Sequence, residues 1–361
     1  TVTGSDLSSA GLVVENTVAT LQGVELTNTC SETDDGDNNA VCNNELENLI
    51  GPISQTNNIA GDIPDDIHIN NFQATQLAAA QNDCDESSAG NNEAGCENNG
   101  STSNDIDGIT QLNEITSADS AAQTNNATVF QALDLLNNCD ESGAGVNNPL
   151  DCNIGSEDNI LGLITQTNTA TGSPLADILQ NNQIAGSDGL APGIIQVITE
   201  TTDCDESGPG DNLADCGFSD LDNELGEITQ DNDVIGADDA TTVSQGNGIS
   251  IIETINAEND CDETSINAGD NTALCENSGD VDHEIGAVTQ TNTAEAQDFS
   301  VIAQDNIVGL VQNLGVVNDC DGTDGNQATC TNDGGADNVN EIADDIVQDN
   351  EAHLSVDAIS V

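Results

Sequence analysis

A Gln and an Asn one residue apart return along this chain at a near-constant interval, and that interval limits the folds open to it. Q-x-N begins at Gln55, Gln111, Gln166, Gln230, Gln290 and Gln348, so successive copies lie 55 to 64 residues apart. Self-similarity at such a period marks an array or solenoid, in which each repeat buries its apolar face against the next. The copies divide the chain at 54–109, 110–164, 165–228, 229–288 and 289–346, with partial repeats at 1–53 and 347–361. Variation in spacing falls mainly between Q-x-N and the next cysteine, where a loop insertion is expected.

Within a repeat, an acidic approach such as "DNELGEITQ" (222–230) leads into Q-x-N. Some 12 to 15 residues later a second amide pair follows, at Gln123/Asn125, Gln180/Asn182, Gln245/Asn247 and Gln304/Asn306. Val, Ile and Thr alternating with polar residues predict strands over 228–235, 243–255 and 301–308. "ATQLAAAQ" (74–81) and "FQALDLLNN" (130–138) are also compatible with helix. For the amides two readings stay open. Stacked on successive strands they donate and accept along the stack as ladders; otherwise they are outward polar positions of half-buried strands. Four Phe and no Trp, Tyr or Met leave small branched side chains for a core, which suits thin, repetitive layers. The expected fold class is all-β, a tandem, solenoid-like stack of strands with disulfide-closed loops.

Twelve cysteines fall into close couples: Cys30/Cys42, Cys84/Cys96, Cys139/Cys152, Cys204/Cys216, Cys261/Cys275 and Cys320/Cys330. An even count, each couple closing the same kind of loop, predicts six local disulfides. Metal–thiolate ligation is the competing reading, but the chain has no C-x-x-C and almost no His. Disulfides persist in oxidising compartments, so a secreted or surface location is expected. No charged and then apolar leader opens the sequence, which reads as a mature form, and no apolar run approaches a membrane span.

The chain holds 67 acidic residues, no Lys or Arg, and His only at His68, His283 and His353, for a formal charge of -67. Binding nucleic acid requires basic side chains, so that partner is excluded, and an anionic membrane surface is disfavoured. Such acidity alone is compatible with disorder. The regularly spaced apolar runs "GLVVENTVATL", "ISIIETI" and "VIAQDNIVGLVQNLGVV" oppose that reading. Self-repulsion on this scale calls for an outside counter-charge, and divalent cations are the natural partner.

Candidate ligands follow the cysteines. Asp85/Glu86, Asp140/Glu141, Asp205/Glu206 and Asp262/Glu263 come directly after the first cysteine of a couple, as does Asp321, and Asp83, Asp203, Asp260 and Asp319 come directly before. A second acidic cluster precedes Q-x-N, at Asp105/Asp107, Glu157/Asp158, Asp222/Glu224 and Asp282/Glu284. Calcium takes six to eight oxygens from groups of these types. Neither an EF-hand loop nor the glycine-rich calcium repeat is present, and a merely solvated acidic surface is the alternative. Catalysis has no support: the three His occupy non-equivalent places, and no phosphate loop or nucleophile elbow occurs.

"TQTNTATGS" and "TQTNTAEAQ", each followed by a second Gln/Asn pair, resemble the repeats of curlin-type secreted fibre subunits. That resemblance implies stacked β-strands with Gln/Asn ladders in an extracellular matrix fibre. The chain begins and ends partway through a repeat, and "IVQDNEAHLSVDAISV" (346–361) supplies what residues 12–30 lack. A head-to-tail filament is therefore expected, in which Val347, Gln348, Asn350, Leu354, Val356, Ile359 and Val361 complete the first repeat of the next copy. Atypical solenoid caps are the other reading of both ends. The function expected is structural, not enzymatic: a fibre subunit held by disulfides and calcium. The alternative is a monomeric calcium-dependent adhesin or surface stalk.

Overall fold

The computed structural model describes residues 2–3, 12–32, 39–86, 93–97, 102–141, 149–171, 177–185, 192–206, 213–237, 242–263, 272–277, 280–297, 301–322, 327–332, 336–342 and 346–355. These residues are almost entirely strand. Each repeat makes one rung of a two-layer parallel β-solenoid. In a typical rung, the forward strand Thr242–Glu263 runs the length of one layer. The chain returns in the facing layer as Thr272–Asn277, Val281–Ile285 and Val288–Gln297. It then crosses to the next forward strand, Val301–Gly322.

Every ladder between rungs is parallel and follows the sequence repeat, with register shifts after Ala60, Asp282 and Val234. Cys204 lies between Cys139 and Cys261, and Gln230 lies between Gln166 and Gln290. The return strands that carry the second cysteines form their own six-stranded sheet, stacked in chain order. Because strand side chains alternate, every second residue points between the layers, and stacking rungs about 4.8 Å apart turns each inward position into a column. From one edge to the other, the interior alternates apolar and amide columns. Ile115, Ala170, Ile178, Val234 and Val243 fill the first apolar column. Ile109, Val129, Ile164, Ile194 and Ile251 fill the second. Leu133, Leu135, Ile198, Leu221 and Ile255 fill the third, and the cysteines close the far edge.

The expected strands over 228–235, 243–255 and 301–308 are present. Residues 74–81 and 130–138 are strand rather than helix. Their Ala- and Leu-rich composition favours helix locally, but in-register neighbours on both sides supply ladder bonds that outweigh so weak a preference.

The long interval between Gln166 and Gln230 also has a structural cause. In that rung the forward strand is split into Asp177–Ile184 and Ile194–Glu206. Ile184 and Ile194 stack on Ile249 and Ile251, which are only two residues apart, so this rung carries eight more residues between those positions than the next. An antiparallel bridge joins Ala185 and Pro192. Gly193 follows, where a Cβ would lie 2.2 Å from the Ile184 carbonyl carbon, so only glycine fits.

Candidate functional site

The Q-x-N residues face inward and are buried, which excludes the outward-polar reading. Gln111, Gln166, Gln230 and Gln290, like Asn113, Asn168, Asn232 and Asn292, are wholly buried. Each Gln Nε2 donates to the Oε1 of the preceding rung: Gln111 to Gln55 at 2.8 Å, Gln230 to Gln166 at 2.7 Å and Gln348 to Gln290 at 2.7 Å. Each Asn Nδ2 donates the opposite way, Asn113 to Asn168 at 3.0 Å and Asn232 to Asn292 at 2.9 Å. The second amide pair lies opposite the first and repeats both directions. Gln245 donates to Gln180 at 2.8 Å and Asn182 to Asn247 at 3.1 Å. The layers are joined as well, as when Asn232 Nδ2 bonds Asn247 Oδ1 at 2.9 Å. Buried polar groups are tolerated when paired, and here the pairing runs along the stack and across it.

Two further amide columns escaped sequence reasoning. Gln22, Gln76, Gln131, Gln196 and Gln312 stack in the forward layer, with Glu253 among them. Asn48, Asn104, Asn159 and Asn223 stack opposite, with His283 continuing the column. The signal was present as a run of inward positions at a period of two through Gln123, Asn125, Val129, Gln131, Leu133, Asn137 and Cys139. Two of the three His are thus ladder substitutions. His68 occupies the column of Gln123, is fully buried with neither ring nitrogen bonded, and is lowered by burial to about 4. The His353 side chain lies outside the described residues.

Four expected disulfides are described: Cys30–Cys42, Cys139–Cys152, Cys204–Cys216 and Cys261–Cys275, with Cα separations of 6.2 to 6.6 Å. Cys84 is also disulfide-bonded. The side chains of Cys96, Cys320 and Cys330 lie outside the described residues. Each described bridge joins the forward strand of a rung to its own return strand, tying the two layers at one edge.

The loop residues between paired cysteines lie largely outside the described residues, and the acidic candidates that are described line up from rung to rung. They form columns on the two outer faces. On the forward layer, Asp83, Asp203, Asp260 and Asp319 share one column, interrupted by Asn138, and Asp85, Asp140, Asp205, Asp262 and Asp321 share the next. The return layer carries Asp158, Asp222 and Asp282 in one column and Glu224 and Glu284 in another. The side chains of Glu86, Glu141, Glu206, Glu263 and Asp321 lie outside the described residues.

Like charges directly opposite in neighbouring strands destabilise a sheet. Partial burial, with Asp205, Asp260 and Asp140 close by, raises Asp203 to about 6. Partial burial, with Asp158 and Asp282 above and below, raises Asp222 to about 7. No Lys or Arg exists to relieve either column.

The outermost described strands have open edges. Leu12–Glu32 pairs on one side only, as do Val301–Gly322 and Ile346–Ser355. Residues 346–355 pair with Val288–Gln297 of the same chain, so Val347, Gln348 and Asn350 belong to the last described rung. The Leu354 side chain and residues 356–361, with Val356, Ile359 and Val361, lie outside the described residues. Ladder polarity makes the two ends different. Continued by the same rule, the ladders would run on from Gln348 Oε1 and Asn306 Nδ2 at one end and from Gln55 Nε2 and Asn16 Oδ1 at the other, Asn306 Nδ2 also bonding Asn350 Oδ1 and Gln55 Nε2 the Asn71 carbonyl.

Fold and columns together define a disulfide-edged, parallel two-layer β-solenoid with interior amide ladders. A scan against family models, a search of curated proteins and a search of solved structures each returned no match. No helix among the described residues is long and apolar enough to cross a membrane.

Proposed function

We propose that this protein is the structural subunit of an extracellular filament, built by stacking copies end to end. The observation that carries the reading is the polarity of the ladders. An outward Gln348 acceptor meets a Gln55 donor, and an Asn306 donor meets an Asn16 acceptor, only when the last rung of one copy lies on the first rung of the next. Head-to-head contact sets acceptor against acceptor. Such a head-to-tail interface does not close on itself and propagates as a fibre. Open parallel edges offer backbone hydrogen bonds in the same direction, so residues 346–351 of one copy lie along 53–58 of the next, beside the bridge of Val2–Thr3 to Ile59–Ala60. Divalent cations, calcium foremost, lie along the acidic columns and remove the repulsion that stacking would otherwise extend. The disulfides suit the oxidising exterior of a cell.

Electron microscopy of the purified chain with calcium, and with a chelator, tests the proposal alongside Gln55→Glu. The expectation is filaments of the wild type in calcium, fewer or frayed filaments in chelator, and short particles for the variant, which still accepts from Gln111 but sets a carboxylate against the Gln348 acceptor of the neighbouring copy. Compact single particles of the wild type under every condition would overturn the filament. Filaments indifferent to chelator would remove calcium from the proposal.

A further inference from the structure

Two glutamates interrupt the third apolar column at one place. Glu157 stacks between Thr102 and Leu221, in a column that also holds Leu46 and Val281. Glu200 stacks between Leu135 and Ala257, in a column that also holds Ala80 and Val316. The columns face each other across the layers. Asn159 Nδ2 donates to Val197 O at 3.0 Å and Gln196 Nε2 to Asn159 O at 2.9 Å, so two residues further out Glu157 comes opposite the segment that carries Glu200.

Neither glutamate reaches solvent: Glu157 is 0% exposed and Glu200 1%. Both Glu200 oxygens and the buried hydroxyl of Thr202 lack a hydrogen-bond partner among the described residues, and Glu157 has only the Thr102 hydroxyl beside it. Thr102 lies one rung from Glu157, and Thr202 is the next inward residue after Glu200.

We propose that Glu157 and Glu200, with the hydroxyls of Thr102 and Thr202, form a buried binding site for a single divalent cation, best suited to calcium. Two carboxylates carry the charge of one dication, and the chain has no Lys or Arg to balance them otherwise. Two bidentate carboxylates and two hydroxyls offer six oxygens, which meets the lower bound of calcium coordination, and calcium tolerates the irregular geometry that magnesium does not. Uncompensated, two carboxylates in an apolar column are strongly disfavoured. Burial holds both far above the ordinary carboxylate range, with repulsion from Glu200 adding to the shift of Glu157, and a bound dication reverses that state. The site lies inside one chain and does not depend on stacking between copies.

The test is metal content by mass spectrometry after loading with calcium chloride and gel filtration in metal-free buffer. The double variant Glu157→Leu/Glu200→Ala takes its replacements from the same columns, Leu221 and Ala257, so the fold should persist. Glu157→Gln/Glu200→Gln serves as the second variant, with circular dichroism to confirm strand content. The wild type should keep one more calcium per chain than either variant, and chelator should lower its melting temperature more than theirs. Equal calcium content together with equal chelator response would overturn the site and leave the two glutamates as a protonated pair.

Discussion

Replacing Glu253 by Gln should stabilise the protein, by an amount that grows with pH. The ladder rule requires each residue of this column to donate to the preceding rung, as Gln131 does to Gln76 at 2.9 Å and Gln196 to Gln131 at 3.0 Å. Gln312 obeys it, donating to Glu253 Oε2 at 2.7 Å. A carboxylate has nothing to pass on, and both Glu253 Oε1 and Gln196 Oε1 are buried without a partner. Across the layer His283 Nδ1 lies 3.5 Å from Glu253 Oε2, while its Nε2 donates to Asn313 O at 3.1 Å. Burial lowers His283, so the neutral ring turns a lone pair, not a charge, toward Glu253.

Burial in turn raises Glu253 from 4.5 to about 8. An acid raised in the folded state keeps a proton that the unfolded chain has shed. Stability is therefore full below pH 4.5 and declines up to pH 8, by about 1.4 kcal/mol per pH unit and about 5 kcal/mol in all. The Glu253→Gln variant escapes that decline and gains a ladder bond worth about 1 kcal/mol. Urea denaturation of both proteins at pH 5, 7 and 8.5 measures the gap. A gap that stays constant with pH would refute the reasoning, because only a titrating group makes it widen.

Other expectations follow from the same geometry. Asn168→Leu removes three donations from Asn168, to the Asn181 carbonyl, Asn182 and Asn232, and two into it, from Asn113 and Asn125. The expected loss is about 5 kcal/mol at about 1 kcal/mol per bond, read by chemical denaturation. Gly162→Ala puts a Cβ 2.0 Å from the Asp107 carbonyl oxygen of the adjacent rung, so a loss of about 3 kcal/mol is expected in the same assay. In chelator, the melting temperature should fall as pH rises through the windows of Asp203, 3.8 to about 6, and Asp222, 3.8 to about 7, because both are raised on folding. Added calcium should flatten that slope, and a slope unchanged by calcium would separate the acidic columns from cation binding.

The repeat, the strand character of Q-x-N and the cysteine couples were legible because each is a short-range pattern recurring in one register. A period of two within a strand and a near-constant period between rungs are both properties of a string. The helical alternative at 74–81 and 130–138 arose because local propensity knows nothing of the parallel neighbours that decide those segments. The Gln76 and Asn104 columns were missed because their residue types vary from rung to rung, with Glu253 and His283 among them.

What the sequence determined by itself was therefore the period, the amides as candidates for ladders and the cysteine couples. Only the tertiary structure decided which face the amides take, which way each ladder points, and that the described acids line up in columns on two outer faces. It alone placed Glu157 against Glu200, which are 43 residues apart in the chain. The physical reason is that a strand reveals its alternation but not its partner. The stagger between the two layers sets which inward side chains meet, and that stagger is a property of the packed rungs together.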